Sequence, residues 1–143
     1  MQQPPRAMAA LITPFDETGA IDGAAHRHNL RQLTDWGLDG FLIGGSTGQG
    51  PYLEPGERAT LTAAARDELG AAAFLLTGIS AQSVRQALAQ IREAVEGEAD
   101  AVLVTTPTML LRKDAKLVES FYFAVADQSP LPVFCYTVPP VSG

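Results

Sequence analysis

Hydrophobic residues along the chain are concentrated in five short, continuous runs rather than in alternating positions. Continuous runs of about four apolar residues are typical of β-strands that are buried on both faces of a sheet. The runs begin about 30 residues apart, the length of a strand-helix-strand unit. They predict strands near residues 7–13, 40–44, 73–78, 101–105 and 132–137.

Four segments with helical periodicity separate these runs. Asp22 is a suitable N-cap for the first helix, and Gly37 is expected to end it. The second helix is expected to carry Pro55 in its first turn. The clearest apolar stripe lies in the third helix, over residues 84–95, and the fourth helix is expected to begin near Asp114. Strands and helices therefore alternate, which predicts a parallel α/β sheet.

The alternation by itself leaves two architectures open, an open doubly wound sheet and a (β/α)8 barrel. A barrel of eight units needs about 250 residues, whereas this chain has 143 and reaches Gly143 directly after the fifth predicted strand. The fifth strand would then have an apolar edge and face without cover. We therefore expect part of the fold to lie outside this sequence.

Charge and composition exclude several classes of partner. The net charge is −6, which argues against a nucleic-acid partner, because neutralising phosphates requires clustered Lys and Arg. Lys113 and Lys116 are the only lysines, and Cys135 is the only cysteine, so an intrachain disulfide is impossible. No apolar stretch approaches the length of a membrane span. We expect a cytoplasmic protein with no membrane partner.

The sequence GGSTGQG, residues 44–50, follows the second predicted strand at the edge where ligands bind in parallel α/β folds. A P-loop would require a lysine after its last glycine, and a dinucleotide-binding turn would require a third glycine opening a helix; neither is present. Consecutive glycines beside the hydroxyls of Ser46 and Thr47 can surround a small anion such as a carboxylate. A plain strand-to-helix turn is the alternative.

Tyr136 ends the fifth predicted strand, so its ring can project towards the same loop. Pro139 and Pro140 follow it and restrict the direction in which the chain leaves the strand. The alternative is a core aromatic residue whose hydroxyl is bonded to the backbone.

The remaining candidates for chemistry are weaker. His26 and His28 are two residues apart on a helix and point away from each other, so they cannot share a metal, and we expect them to be solvated or capping. Cys135 lies in an apolar run and is expected in the core. The acidic residues in the sequence EGEAD, 96–100, precede a strand and are interpreted as a solvated turn. The sequence contains no metal-ligand cluster.

Five segments, in order, resemble the amino-terminal half of the dihydrodipicolinate synthase and N-acetylneuraminate lyase family. They are LITPF, GGSTGQGPYLEPGER, TGISAQS, VTTPT and YTVPPVSG. The resemblance implies a (β/α)8 barrel of which this chain holds about the first five strands and four helices. It also implies an enzyme without a cofactor or metal that forms a lysine Schiff base with pyruvate or another 2-oxo acid. Members of the family are commonly tetrameric, which implies a homo-oligomer.

The resemblance also implies roles for individual residues. Thr47, with Ser46 and Gly45, would bind the carboxylate of the 2-oxo acid. Ser46 would link by a hydrogen bond to Tyr136, which would be the catalytic acid and base. The Schiff-base lysine of the family lies on the sixth strand, beyond Gly143.

Three departures from the family pattern limit what the resemblance implies. Val141 stands where the synthases have an arginine for the second substrate, and Thr108 and Met109 stand where they have a tyrosine pair. The sequence is closer to the 4-hydroxy-2-oxoglutarate and 2-keto-3-deoxy sugar acid aldolases than to lysine biosynthesis. Neither Lys113 nor Lys116 matches the position of the Schiff-base lysine.

Two hypotheses remain after the sequence has been considered. In the first, residues 1–143 are the amino-terminal part of a single, incomplete barrel domain of a Schiff-base lyase, which catalyses aldol cleavage or condensation, or dehydration, of a 2-oxo acid. In the second, the chain is a half-barrel that binds 2-oxo acids without catalysis or that a partner completes.

Overall fold

The computed structural model describes residues 4–108 and 114–137, which form an α/β fold of five parallel strands and four helices. The strands are β1 (Ala9–Ala10), β2 (Gly40–Ile43), β3 (Phe74–Ile79), β4 (Ala101–Thr105) and β5 (Val133–Tyr136). The helices are α1 (Gly23–Asp35), α2 (Glu57–Leu69), α3 (Val84–Glu96) and α4 (Ala115–Ala126). Each predicted element is present, although β1 is shorter than the run that predicts it. Met109, Lys113, Pro139, Pro140 and Val141 lie outside the described residues.

The order of the strands decides between the two α/β architectures. The strands pair in parallel in the order β1-β2-β3-β4-β5. A doubly wound sheet reverses its strand order at a switch point, and the described strands show no reversal. Their order is that of consecutive strands in a (β/α)8 barrel.

Both faces of the strands β2, β3 and β4 are largely buried, as their continuous apolar runs predict. On the helical side, Phe41 packs with residues of α1 and α2, and Val102 packs with residues of α3 and α4. On the other side, Leu76 and Ala101 belong to a separate apolar cluster that also includes Leu103. This second cluster lies on the face that would be the interior of a barrel.

The helix ends follow local signals in the sequence. The carboxylate of Asp22 accepts a backbone hydrogen bond from the first turn of α1, and Gly37 adopts a φ of +87° just after that helix ends. Pro55 lies before α2 rather than in its first turn, because Gly56 takes a φ of +90° and the helix begins only at Glu57. None of the described helices is long and apolar enough to cross a bilayer.

His26 is buried, so the prediction that it would be solvated or capping is wrong. It is 1% exposed, and its Nε2 lies 3.1 Å from the carbonyl oxygen of Leu61 on α2. The cause is helix packing, because the face of α1 that carries His26 lies against α2. His28, two positions on, is exposed as expected.

The acidic turn before β4 is only partly solvated, which corrects a second prediction. Asp100 is half-buried, and its carboxylate accepts hydrogen bonds from the Leu75 backbone at 2.8 Å and from the Arg66 guanidinium at 2.7 Å. Arg66 also donates to the carbonyl oxygens of Gly70, Ala73 and Glu98. This cluster joins α2 to the amino ends of β3 and β4.

Cys135 is exposed, not in the core as the apolar run suggested. The strand β5 has β4 as its only partner among the described strands, and three of its four residues are exposed. An apolar sequence is buried only where another element covers it, and of the four residues of β5 only Val133 packs against the described core.

The burial of His26 predicts a pH dependence of stability. Burial lowers the pKa of His26 below its usual value, and the positive charge of Arg27 acts in the same direction, against the hydrogen bond to Leu61. Since the unfolded chain then takes up a proton more readily than the folded one, stability should fall as pH drops below about 6.5. We expect His26→Gln to weaken this dependence, measured by urea unfolding between pH 7.5 and 5. His28→Gln is the matched control, and an unchanged pH slope in His26→Gln would contradict the prediction.

Candidate active site

A small cavity lies at the carboxyl ends of the strands, where ligands bind in barrels of this type. Its volume is about 110 Å³, and its lining includes Gly45, Ser46, Thr47 and Tyr136. The structure thus brings to one cavity all four residues that the sequence analysis selects. Gly45 is buried, whereas the side chains of Ser46 and Thr47 are exposed to the cavity and solvent.

The loop after β2 has a backbone path that depends on glycine. Gly44 has a φ of +62°, and Gln49 has a φ of +55° near the other end of the loop. A Cβ atom at either Gly50 or Gly78 would overlap the carbonyl group of Gly44. The loop is therefore folded against the end of β3 with backbone in contact with backbone, which a side chain would prevent.

Tyr136 is held through its backbone at the end of β5. Its carbonyl oxygen accepts hydrogen bonds from the Thr106 amide at 3.1 Å and from the Tyr122 hydroxyl at 3.2 Å. The Tyr122 hydroxyl, on α4, also lies 3.1 Å from the carbonyl oxygen of Val104 and 3.0 Å from the Thr106 hydroxyl. Burial raises the pKa of Tyr122, so it remains a protonated donor at neutral pH. These contacts tie the end of β5 to the end of β4.

Tyr136 and Ser46 both line the cavity, but their hydroxyls are not hydrogen-bonded to each other. The hydrogen bonds found in the described part of the chain include none between Tyr136 and Ser46 or Thr47. Such bonds are often long in an unliganded site and form when substrate binds. The link between Ser46 and Tyr136 therefore stays a prediction.

Two further hydroxyl residues line the cavity and were not singled out from the sequence, Ser80 and Thr105. The side-chain amide of Gln90 bonds both the N–H of Ser80, at 2.9 Å, and its carbonyl oxygen, at 3.1 Å. The Thr105 hydroxyl donates to the carbonyl oxygen of Ile79 at 3.2 Å. Ser80 belongs to the segment TGISAQS, but its inward direction follows from its place after β3, which residue type does not reveal.

Other residues considered from the sequence lie away from the cavity. Thr108 pairs with the side chain of Gln82, which accepts its N–H at 3.1 Å. Lys116 is exposed in the first turn of α4, where its N–H is capped by Asp114. Neither Thr108 nor Lys116 lines the cavity. Among the described residues, no group of three or more His, Cys, Asp or Glu side chains is placed to hold a metal ion.

The strand order and the position of the cavity define the chain as part of a (β/α)8-barrel protein with a polar site at the carboxyl ends of its strands. The sequence matches the dihydrodipicolinate synthetase family over residues 3–143. The chain belongs to this family, which confirms the resemblance.

Curated relatives carry the name 4-hydroxy-tetrahydrodipicolinate synthase. The protein of Synechococcus sp. (strain CC9605) is 34% identical over 139 residues, which cover 96% of this chain and 46% of the relative. The protein of Corynebacterium aurimucosum is 35% identical over 138 residues, covering 96% and 45%. The chain thus spans about half the length of the curated relatives it matches.

Solved structures agree with the fold. A putative dihydrodipicolinate synthase family protein from Coccidioides immitis is 33% identical, with a TM-score of 0.86 over 94% of this chain and 44% of that one. Dihydrodipicolinate synthase from Aquifex aeolicus is 25% identical, with a TM-score of 0.85 over 95% of this chain and 46% of that one. The five strands and four helices correspond to part of these barrels.

The contacts of Tyr122 lead to a stability prediction. Tyr122→Phe removes one hydroxyl from between the ends of β4 and β5 and leaves the Val104 and Tyr136 carbonyls with one partner fewer. We expect a loss of about 1 to 2 kcal/mol in the free energy of unfolding, measured by urea denaturation. Tyr52→Phe, at a residue that is 79% exposed, should change it by less than about 0.5 kcal/mol. Equal midpoints for the two variants would contradict this assignment.

Proposed function

We propose that residues 1–143 are the amino-terminal part of a single (β/α)8-barrel lyase that acts on pyruvate or another 2-oxo acid. The observation that carries this proposal is the common cavity of Gly45, Ser46, Thr47 and Tyr136. Family membership supports the proposal as well. The residues that the family motifs select, Gly45, Ser46, Thr47 and Tyr136, all line this cavity. We further propose a cytoplasmic homo-oligomer, as is common in the family.

The cavity suits a small anion better than a nucleotide. Its volume of about 110 Å³ is well below the roughly 300 to 1,000 Å³ of pockets for drug-sized ligands. The turn at Gly45 lets backbone amides point inwards, and the hydroxyls of Ser46 and Thr47 add donors without a fixed positive charge. The two oxygens of a carboxylate beside such donors are stabilised by several converging hydrogen bonds.

In the proposed mechanism a lysine amine attacks the C2 carbonyl of the 2-oxo acid. The resulting carbinolamine loses water to give an iminium, the Schiff base, which then supports formation or cleavage of a carbon–carbon bond. Tyr136 would give a proton to the carbinolamine hydroxyl, which leaves as water. It would take a proton back in the step that forms or breaks the carbon–carbon bond. Since a free phenol titrates near pH 10, Ser46 would assist by passing the proton along a chain of hydroxyls.

We propose that the amine comes from the sixth strand, as in the family, and from neither lysine of this chain. A Schiff-base lysine must be desolvated and fixed at a strand end. Lys116 is exposed on a helix and outside the cavity lining, and Lys113 lies in the same polar run of sequence. The reaction proposed is aldol condensation or cleavage, or dehydration of the 2-oxo acid, and a small aldehyde takes part in the first two.

The second hypothesis, a half-barrel that binds a 2-oxo acid without catalysis, has one observation in its favour. None of the described residues that line the cavity carries an amine. Under this hypothesis the 143-residue chain would be folded and monodisperse and would bind pyruvate reversibly. Under the first, the complete barrel would be needed for the reaction.

Borohydride reduction in the presence of pyruvate separates the two hypotheses. We expect the complete barrel to give one stable adduct, located by peptide mass spectrometry on a lysine outside residues 1–143. The 143-residue chain should give none. An adduct on Lys113 or Lys116 would overturn the assignment of the nucleophile, and the absence of an adduct in the complete barrel would overturn the proposed chemistry.

The role of Tyr136 predicts a defect in turnover rather than in binding. Tyr136→Phe keeps the ring and removes the proton donor, so we expect kcat to fall by about 10² to 10⁴ with a small change in KM. Steady-state kinetics of the complete barrel with pyruvate and a short aldehyde measures both constants. Tyr52→Phe is the matched control, and a Tyr136→Phe enzyme of normal kcat would remove Tyr136 from the mechanism.

The role of Thr47 predicts a defect in binding, seen in KM, rather than in turnover, seen in kcat. Thr47→Val keeps the shape of the side chain but removes a hydrogen bond to the carboxylate, which is present throughout the reaction. We expect KM for the 2-oxo acid to rise about tenfold and kcat to change little. Thr60→Val, on the exposed side of α2, is the control. A lower kcat at unchanged KM would place Thr47 in the chemical step instead.

A further inference from the structure

Arg58 is the largest side chain that is fully buried in the described part of the chain, at 2% exposure. It projects from the first turns of α2 beneath the loop that follows β2. Its Nε donates to the carbonyl oxygen of Gly78 at 2.9 Å, and its Nη2 donates to that of Gly50 at 2.9 Å. One guanidinium thus bonds two backbone carbonyls from separate segments.

The two carbonyls belong to the segments that form the cavity, the strand β3 and the loop after β2. Gly78 lies in β3 and lines the cavity directly. Gly50 closes the loop that carries Gly45 to Thr47, and its own N–H donates to the Gly45 carbonyl at 3.0 Å. Arg58 therefore fixes the loop against β3 at the point where these backbones are in closest contact.

The fold alone gives a weak reason for an arginine at this position. Its acidic partner is Glu93 on α3, whose Oε2 lies 3.8 Å from Nη1 and has no hydrogen-bond partner among the described residues. Burial lowers the pKa of Arg58 and the charge of Glu93 opposes this, but an arginine stays protonated. Burying an ion pair in this way often adds less stability than apolar residues of similar volume.

We propose that Arg58 is a positioning residue for the carboxylate of the 2-oxo acid, holding the Gly45–Thr47 segment so that its donors converge on one point. The identity of the ligand rests on the proposed function. The connection between the loop and β3 rests only on the two hydrogen bonds of Arg58. The guanidinium acts through the backbone and does not contact the substrate. Its loss should weaken carboxylate binding in the ground state and the transition state alike.

Arg66 provides a matched control on the same helix. It too is largely buried, donates to several backbone carbonyls and pairs with an acid, Asp100. Its partners lie at the amino ends of β3 and β4, at the opposite edge of the sheet from the cavity. A general loss of stability should follow substitution of either arginine, whereas a loss of carboxylate binding should follow only at Arg58.

The kinetic test compares Arg58→Lys with Arg66→Lys in the complete barrel, because lysine keeps the charge but cannot make both bonds in the same fork geometry. We expect Arg58→Lys to raise KM for pyruvate about tenfold with kcat within threefold, and Arg66→Lys to leave KM within twofold. An equal rise in KM for the two variants, or none at Arg58, would overturn the proposal.

Two double variants, each of which removes both charges of one ion pair, test the proposal if the lysine variant does not fold. Arg58→Met with Glu93→Gln removes the buried charge and its partner together, and Arg66→Met with Asp100→Asn is its control. We expect a rise in KM of tenfold or more from the first double variant only. An unchanged KM in that variant would overturn the proposal.

Hydrogen exchange of the loop amides, residues 44–50, separates failure of this inference from failure of the proposed function. We expect exchange to be at least tenfold faster in the Arg58 variants than in the Arg66 variants, without any ligand present. Faster exchange in a protein that forms no pyruvate adduct would support the role of Arg58 in holding the loop against β3. The same result would reject the 2-oxo acid as the ligand. Unchanged exchange would reject that role of Arg58, whatever the enzyme does.

Discussion

The candidate site depends on one steric constraint, the contact of three backbone segments at Gly44, Gly50 and Gly78. A Cβ atom at Gly50 or Gly78 would overlap the Gly44 carbonyl, so the loop after β2 can lie against β3 only if these positions lack side chains. This contact makes a turn short enough to direct the loop donors into the cavity. Gly48 is fixed from the other side, where its carbonyl oxygen accepts a 2.6 Å hydrogen bond from Thr13. The glycines of the motif are thus a packing requirement as well as a means of exposing amides.

Hydrophobic periodicity predicted the elements well because it records which faces are buried, and the strands β2 to β4 are largely covered on both sides. It could not predict that His26 and Arg58 would be buried and Asp100 partly buried. Each of these polar residues bonds a backbone group that is 20 to 35 positions away in the sequence. Only the packing of α1, α2 and the strand ends brings those partners close. Cys135 shows the reverse error, because burial of a strand depends on neighbours in space and not on its own residues.

The site shows a similar division between what the sequence reveals and what it does not. Ser46, Thr47 and Tyr136 were recognisable because they occur in motifs next to strand ends, and strand ends of a parallel sheet meet at one edge. Ser80 and Thr105 line the same cavity and lie in the segments TGISAQS and VTTPT. They were not selected, because the direction of their side chains depends on the alternation of residues along β3 and β4. The contribution of Arg58 was hidden for another reason. Arg58 acts from a helix behind the loop. The sequence of α2 shows an arginine but not the loop and strand carbonyls that it bonds.

Under the proposed function, the cavity would hold an anion although no charged side chain lines its described part. Hydroxyl and amide donors that are already fixed in place cost little reorganisation when the ligand arrives, which is the condition under which neutral donors stabilise charge effectively. Under the proposed function, a further cation in the cavity would stabilise the bound 2-oxo acid and the transition state alike, which adds binding without adding catalysis. The role proposed for Arg58 instead places its guanidinium behind the loop. In that role the guanidinium would order the loop donors, and those donors would contact the carboxylate.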